Sequence, residues 1–116
     1  MRLLRAISTL NPASGGPAAT LTPITKELMS SGHRVEVVCF DNPADPWLND
    51  SPFVVHCLES KSSFYQRLNK LYHFLRANSH GYDCVIVHGL WSAVDFAVWR
   101  ALRHTSTPYV VLLHGI

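Results

Sequence analysis

The sequence predicts an α/β protein built on a doubly wound parallel sheet, about five strands in the order 3-2-1-4-5. Three observations carry this expectation. Short apolar runs alternate with segments of helical periodicity along the whole chain. The run at 83–88 is nearly uninterrupted, as in a strand covered on both faces, and 34–40 is β-branched and apolar at Val35, Val37 and Val38. Glycines and prolines punctuate the joints between segments. With 116 residues, 47% of them hydrophobic and 16% charged, the chain suits one modest core and one domain.

The first strand is expected at residues 3–7, a short apolar run ending in a loop rich in Ser, Asn, Pro and Gly. The first helix follows over 18–31, where Leu21, Ile24 and Leu28 recur at helical spacing and Gly32 supplies a C-terminal stop. Pro23 complicates this helix: either it interrupts the hydrogen-bond ladder from inside, or the helix starts late with Thr22 as its cap. A late start would carry the helix dipole away from Gly15 and Gly16.

Strand two covers 34–40, with Val35, Val37 and Val38, and Asp41-Asn42-Pro43 ends it in turn chemistry. A loop rich in Pro and Asp leads to strand three at 53–58. Over 63–77, Phe64, Leu68, Leu71 and Leu75 line one face of helix two. Strand four is 83–88. Beyond Gly89, Val94, Ala97, Val98, Ala101 and Leu102 form the apolar face of helix three, with Arg100, Arg103 and His104 suited to the negative end of its dipole. Residues 108–113 make strand five. In this order the carboxyl ends of strands one and four flank the topological switch point, where ligands of such sheets bind.

Composition excludes several function classes. The formal charge is +2 and the basic residues are scattered, which disfavours nucleic acid as a partner. Cys39, Cys57 and Cys84 lack metal-site spacing and read as buried thiols in a reducing compartment. No apolar run approaches the ~18 residues of a membrane span, and the N-terminus lacks a signal-peptide core. A cytoplasmic location follows. Arg67, Lys70 and Arg76 flank the apolar stripe of helix two, so peripheral contact with the inner face of a membrane stands beside plain packing on the sheet as a reading of that helix.

The loop Asn11-Pro12-Ala13-Ser14-Gly15-Gly16-Pro17 adjoins the expected crevice. Its glycines would let backbone amides approach a phosphate, with the following helix offering its positive end; equally, they would make a tight turn with Pro17 in the first helical turn. The G-x-G-x-x-G spacing of a dinucleotide site is missing, so Asp41, although placed like a ribose-binding acid, is not read as one. His88 and His114 each end a strand and each precede a glycine, so both belong at the carboxyl edge, either to meet a sugar or phosphate or to bond a neighbouring carbonyl. His80, Cys84 and His88 cannot share a metal, because four residues of strand span ~13 Å. His33, His56, His73 and His104 are given structural roles, and Trp47, Trp91 and Trp99 are read as core or interface anchors.

Three segments together resemble the N-terminal domain of glycosyltransferase family 4, whose members have two Rossmann-like domains in the GT-B arrangement. They are the glycine loop at 11–18, Tyr82-Asp83-Cys84-Val85-Ile86-Val87-His88-Gly89-Leu90-Trp91, and Pro108-Tyr109-Val110-Val111-Leu112-Leu113-His114-Gly115. The resemblance implies that residues 1–116 are a partial N-terminal, acceptor-side domain of a retaining enzyme that moves a sugar from a nucleotide-sugar donor to a glycan or lipid acceptor. It assigns Gly15 and Gly16 to the donor diphosphate, Asn11, His88 and Gly89 to the acceptor, and His114 to the catalytic centre beside the transferred sugar. It implies no metal and no other cofactor. Ile86 departs from the pattern, standing where many members have histidine.

The Glu-x7-Glu element of the C-terminal donor domain does not occur in the 116 residues, so the nucleotide sugar is expected to bind through that further domain and the chain alone is expected to be inactive. Self-association through an open strand-five edge is the accompanying expectation. The competing reading is a stand-alone flavodoxin-like binding or regulatory module without catalysis. The acidic cluster and lysine of a receiver-type regulator are not found at the corresponding places, where Asn11 and His114 stand.

Overall fold

The computed structural model describes residues 1–14, 16–49, 51–60, 63–89 and 92–112, with the backbone alone for Gly16 and Pro17. Five parallel strands, β1 (Arg2–Ala6), β2 (Arg34–Cys39), β3 (Val54–Cys57), β4 (Cys84–His88) and β5 (Tyr109–Leu112), lie in the order β3-β2-β1-β4-β5. This is the doubly wound, Rossmann-like order the sequence predicts. Three helices accompany them: α1 (Gly16–Ser30), α2 (Phe64–Asn78) and α3 (Ala93–Leu102). The strand-two to strand-three crossover is a loop carrying one short 3-10 turn at Pro46–Leu48.

Alternation along the strands separates two cores. Leu4 and Ala6 of β1 and Val85 and Val87 of β4 point to the face covered by α2 and α3, meeting Leu71, Leu75, Val94, Val98 and Leu102. Val37 and Cys39 point to the opposite face, where Leu21 of α1 and Phe53 close a smaller cluster with Trp47 and Leu48 at its margin. Helix two buries Leu71 and Leu75 of its stripe on the sheet, with Leu68 partly buried, whereas Phe64 at its start is exposed. Two of its flanking cations bond backbone carbonyls of the loop after β3, Lys70 Nζ those of Leu58 and Glu59 and an Arg67 guanidinium N–H that of Ser60.

Local chemistry explains the helix ends. Ser63 and Ser92 cap α2 and α3, each hydroxyl accepting from the backbone N–H three residues on, Gln66 and Asp95. Gly32 follows α1 at φ +93°, a conformation glycine adopts freely. Helix α1 begins at Gly16 and carries Pro23 inside it, so the late start at Thr22 does not occur and the positive end of the helix stays at the glycine loop.

At the amino edge a polar cluster ties three strands to one another. Glu36 accepts from Tyr82 Oη at 2.8 Å and the Arg2 guanidinium at 3.2 Å, and lies 2.7 Å from His56 Nε2. Burial pushes the Glu36 carboxyl up, but the bonds from His56, Tyr82 and Arg2 outweigh it and leave the carboxyl below its ordinary range. Cys39 is buried, whereas Cys57 and Cys84 are half-buried rather than enclosed, and all three are free thiols whose pKa burial raises.

Candidate functional site

A cleft of about 280 Å³ opens at the carboxyl edge between β1 and β4, lined by Ile7, Ser8, Thr9, Ser14, Ala18 and His88. This is the switch point. Strand β1 pairs β2 on one side and β4 on the other, and the chain leaves the two central strands in opposite directions across the sheet. The cleft therefore has a hydroxyl wall from the β1 exit, a helix N-terminus from α1, and an imidazole from the end of β4.

The β1 exit is held by Asp41. Its carboxylate accepts from Thr9 Oγ1 at 2.6 Å, from the Leu10 N–H at 2.8 Å and from Trp47 Nε1 at 3.0 Å. The acid that stands where a ribose-binding residue would is thus spent on fixing the loop, and Trp47 is an anchor as the sequence implies. Beyond it, Asn11 Oδ1 accepts from the Ala13 N–H at 3.0 Å and the Asn11 carbonyl from the Ser14 N–H, shaping the 3-10 turn at Pro12–Ser14. Asn11 sits at the loop mouth and does not line the cleft.

His88 is 5% exposed and forms the β4 wall. Arg5 Nε donates to His88 Nε2 at 3.0 Å, and a second Arg5 N–H donates to Thr25 Oγ1 of α1 at 3.2 Å. Arg5 points to the α1 face because it is offset by one from Leu4, and register places it opposite Ile86, two residues before His88 on the same face. Burial lowers the pKa of this guanidinium, which nonetheless remains a cation because its ordinary value is so high. Among the described residues no carboxylate forms an ion pair with it.

Gly89 follows His88 at φ +109°, and its N–H donates to the Leu112 carbonyl at 3.3 Å, so the β4 exit turns over the end of β5. Of the site residues singled out in the sequence, His88 alone among the described residues lines the cleft, where it meets Ala18 of the first turn of α1; Gly16 begins that helix and Gly89 follows His88 in the chain. Gly15, Trp91 and His114 lie outside the described residues. Ser8 and Thr9 were present as loop residues but carried no signal of their own. Arg5 carried a misleading one, since an arginine in a short apolar run reads as an interruption.

Among the described residues no group of three or more His, Cys, Asp or Glu side chains is placed to hold a metal ion, and no helix is long and apolar enough to cross a membrane. On the α2–α3 layer Phe64, Tyr65, Phe96 and Trp99 are exposed, with Phe64 and Phe96 in edge contact at 5.9 Å. Trp99 is therefore no core anchor.

The family model for a glycosyl transferase 4-like domain matches residues 15–116. No curated protein sequence matches the chain. Among solved structures, a glycosyltransferase from Rickettsia africae ESF-5 superposes with a TM-score of 0.72 at 17% identity, over 99% of this chain and 30% of that one. The chain thus spans about 30% of the length of that protein. The C-terminal domain of PF1911 hydrogenase from Pyrococcus furiosus superposes with a TM-score of 0.64 at 15% identity, over 97% of this chain and 91% of that domain. At these identities both likenesses concern the fold.

Proposed function

The chain belongs to the glycosyl transferase 4-like domain family, and from that premise we propose that it is the acceptor-side part of a retaining transferase that moves a sugar from a nucleotide-sugar donor to a glycan or lipid acceptor. The observation that carries the reading is the switch-point cleft, which Ala18 in the first turn of α1 and His88 line together with Ser8, Thr9 and Ser14. A helix N-terminus stabilises phosphate charge, and Ser, Thr and imidazole groups suit the oxygens of a sugar.

In this reading Gly15 and Gly16 approach the donor diphosphate, Asn11, His88 and Gly89 meet the acceptor, and His114 stands beside the transferred sugar as the catalytic group. The bulk of catalysis would come from fixed dipoles and cations stabilising the leaving diphosphate. The residues gripping the nucleotide belong to a second, donor-binding domain, so these 116 residues bind acceptor and turn nothing over by themselves. Work at the cytoplasmic face of a membrane would use the exposed Phe64, Tyr65, Phe96 and Trp99 as peripheral contacts.

Two measurements on the 116-residue chain test this. Amide spectra titrated with a panel of alkyl glycosides should show weak, saturable shifts confined to Ser8, Thr9, Asn11, His88 and Gly89. Incubation with UDP- and GDP-sugars plus those glycosides should yield no product. Shifts elsewhere on the surface would sink the acceptor reading, and product formation would sink the assignment of the donor grip to another domain.

A further inference from the structure

Arg5 occupies the central strand at 3% exposure, and the partners recorded for its guanidinium are an imidazole nitrogen and a hydroxyl. Burying a cation that no carboxylate among the described residues pairs with is costly, and a methionine or leucine would fill the same space on the α1 face at lower cost. What the arginine supplies that an apolar residue cannot is a proton donor aimed at His88.

A guanidinium carries only N–H donors. The Nε2 atom that meets Arg5 Nε at 3.0 Å must therefore present its lone pair, so the ring cannot carry a proton there. We propose that Arg5 is a positioning residue of the cleft, which holds His88 as a neutral imidazole in the Nδ1–H tautomer. Two consequences follow for the chemistry of the site. His88 is barred from serving as a general base through Nε2, because that lone pair is taken. Nδ1 carries the ring's proton, so whatever atom the ring meets there is a hydrogen-bond acceptor. The geometry is braced from both sides, since Thr25 of α1 holds the guanidinium while Gly89 fixes the backbone beyond the ring.

This inference rests on reading His88 as part of the ligand cleft, but its test needs no ligand. Long-range 1H–15N correlation spectra of the whole chain at neutral pH, with His88 assigned by comparison with His88→Gln, report the tautomer directly. The wild type should show a protonated Nδ1 and a bare Nε2. Arg5→Lys, which retains a donor, should keep that pattern. Arg5→Met, which fills the space without a donor, should shift the ring toward Nε2–H.

A wild-type ring protonated at Nε2, or protonated at both nitrogens, would overturn the proposal, and that result stands even if Arg5→Met fails to fold. An Nδ1–H ring that persists unchanged in Arg5→Met would overturn it as well. Absence of glycoside binding bears on the acceptor reading alone and leaves the tautomer result intact.

Discussion

Arg5 Nε lies 3.0 Å from His88 Nε2, a bond that joins the two central strands directly beneath the cleft. Its other anchor is Thr25, whose side chain is wholly buried in α1. Thr25→Val keeps the shape and removes the acceptor, leaving a guanidinium N–H buried without a partner. Urea unfolding should show a loss of about 1–3 kcal/mol, the cost of an unsatisfied buried donor. A variant as stable as the wild type would mean that Thr25 Oγ1 contributes nothing to holding Arg5.

Gly89 and Gly32 both have positive φ, and a Cβ at either would meet open space or ordinary contact, 3.9 Å to Ser92 Oγ in the case of Gly89. Alanine at each position should therefore cost conformational energy alone, about 1–2 kcal/mol. Only Gly89→Ala should also disturb amide resonances of the cleft, because its N–H bonds the Leu112 carbonyl. Equal spectra for the two variants would contradict the placement of Gly89 at the β4 exit.

Glu36 links folding to pH. Its carboxyl is lower in the folded chain than in an unfolded one, since His56, Tyr82 and Arg2 favour the ionised form beyond what burial takes away. The stability it contributes is thus present above the ordinary carboxylate pKa and is lost as pH falls through that value toward the lower folded one. Denaturation midpoints should decline on acidification in the wild type and decline less in Glu36→Gln. Parallel pH curves would show that the cluster does not act through this carboxylate.

The β5 strand pairs β4 on one side, and its Val110 and Leu112 are 48% and 38% exposed on the face opposite α3. Such an apolar edge invites pairing with another copy. Sedimentation velocity of the 116-residue chain should give a mass that rises with concentration, and Val110→Lys should return it toward the monomer. A wild-type monomer at every concentration would rule out this edge as a contact.

Strand order was legible because each strand is a dense apolar run and each helix has a periodic stripe, signals that do not depend on knowing the partner. The end of α1 was legible at Gly32 for the same reason, as such stops act within a few residues, whereas the Ser63 cap of α2 was not read from the sequence. Pro23 was ambiguous: the sequence allowed a start at Thr22, and the fold instead begins α1 at Gly16 and carries the proline inside.

The floor of the site was the hidden part. Arg5 and His88 are 83 positions apart, and only the pairing of β1 with β4 makes them neighbours, so no local window could reveal a buried cation in a strand. Asp41 shows the reverse error, where position beside the crevice suggested ligand chemistry and three bonds to Thr9, Leu10 and Trp47 make it a brace.

The two arginines of β1 point to opposite faces of the sheet, Arg2 to Glu36 beside α2 and Arg5 to His88 beneath α1. Sliding this strand by one residue would exchange the faces and drive both cations into hydrocarbon, and a slide of two would carry each about 7 Å from its acceptors. A central parallel strand made only of leucine and valine could settle in several alignments during collapse. Here the polar teeth at its two ends admit one, so the same residues that furnish the cleft also select the pairing on which the rest of the sheet is assembled.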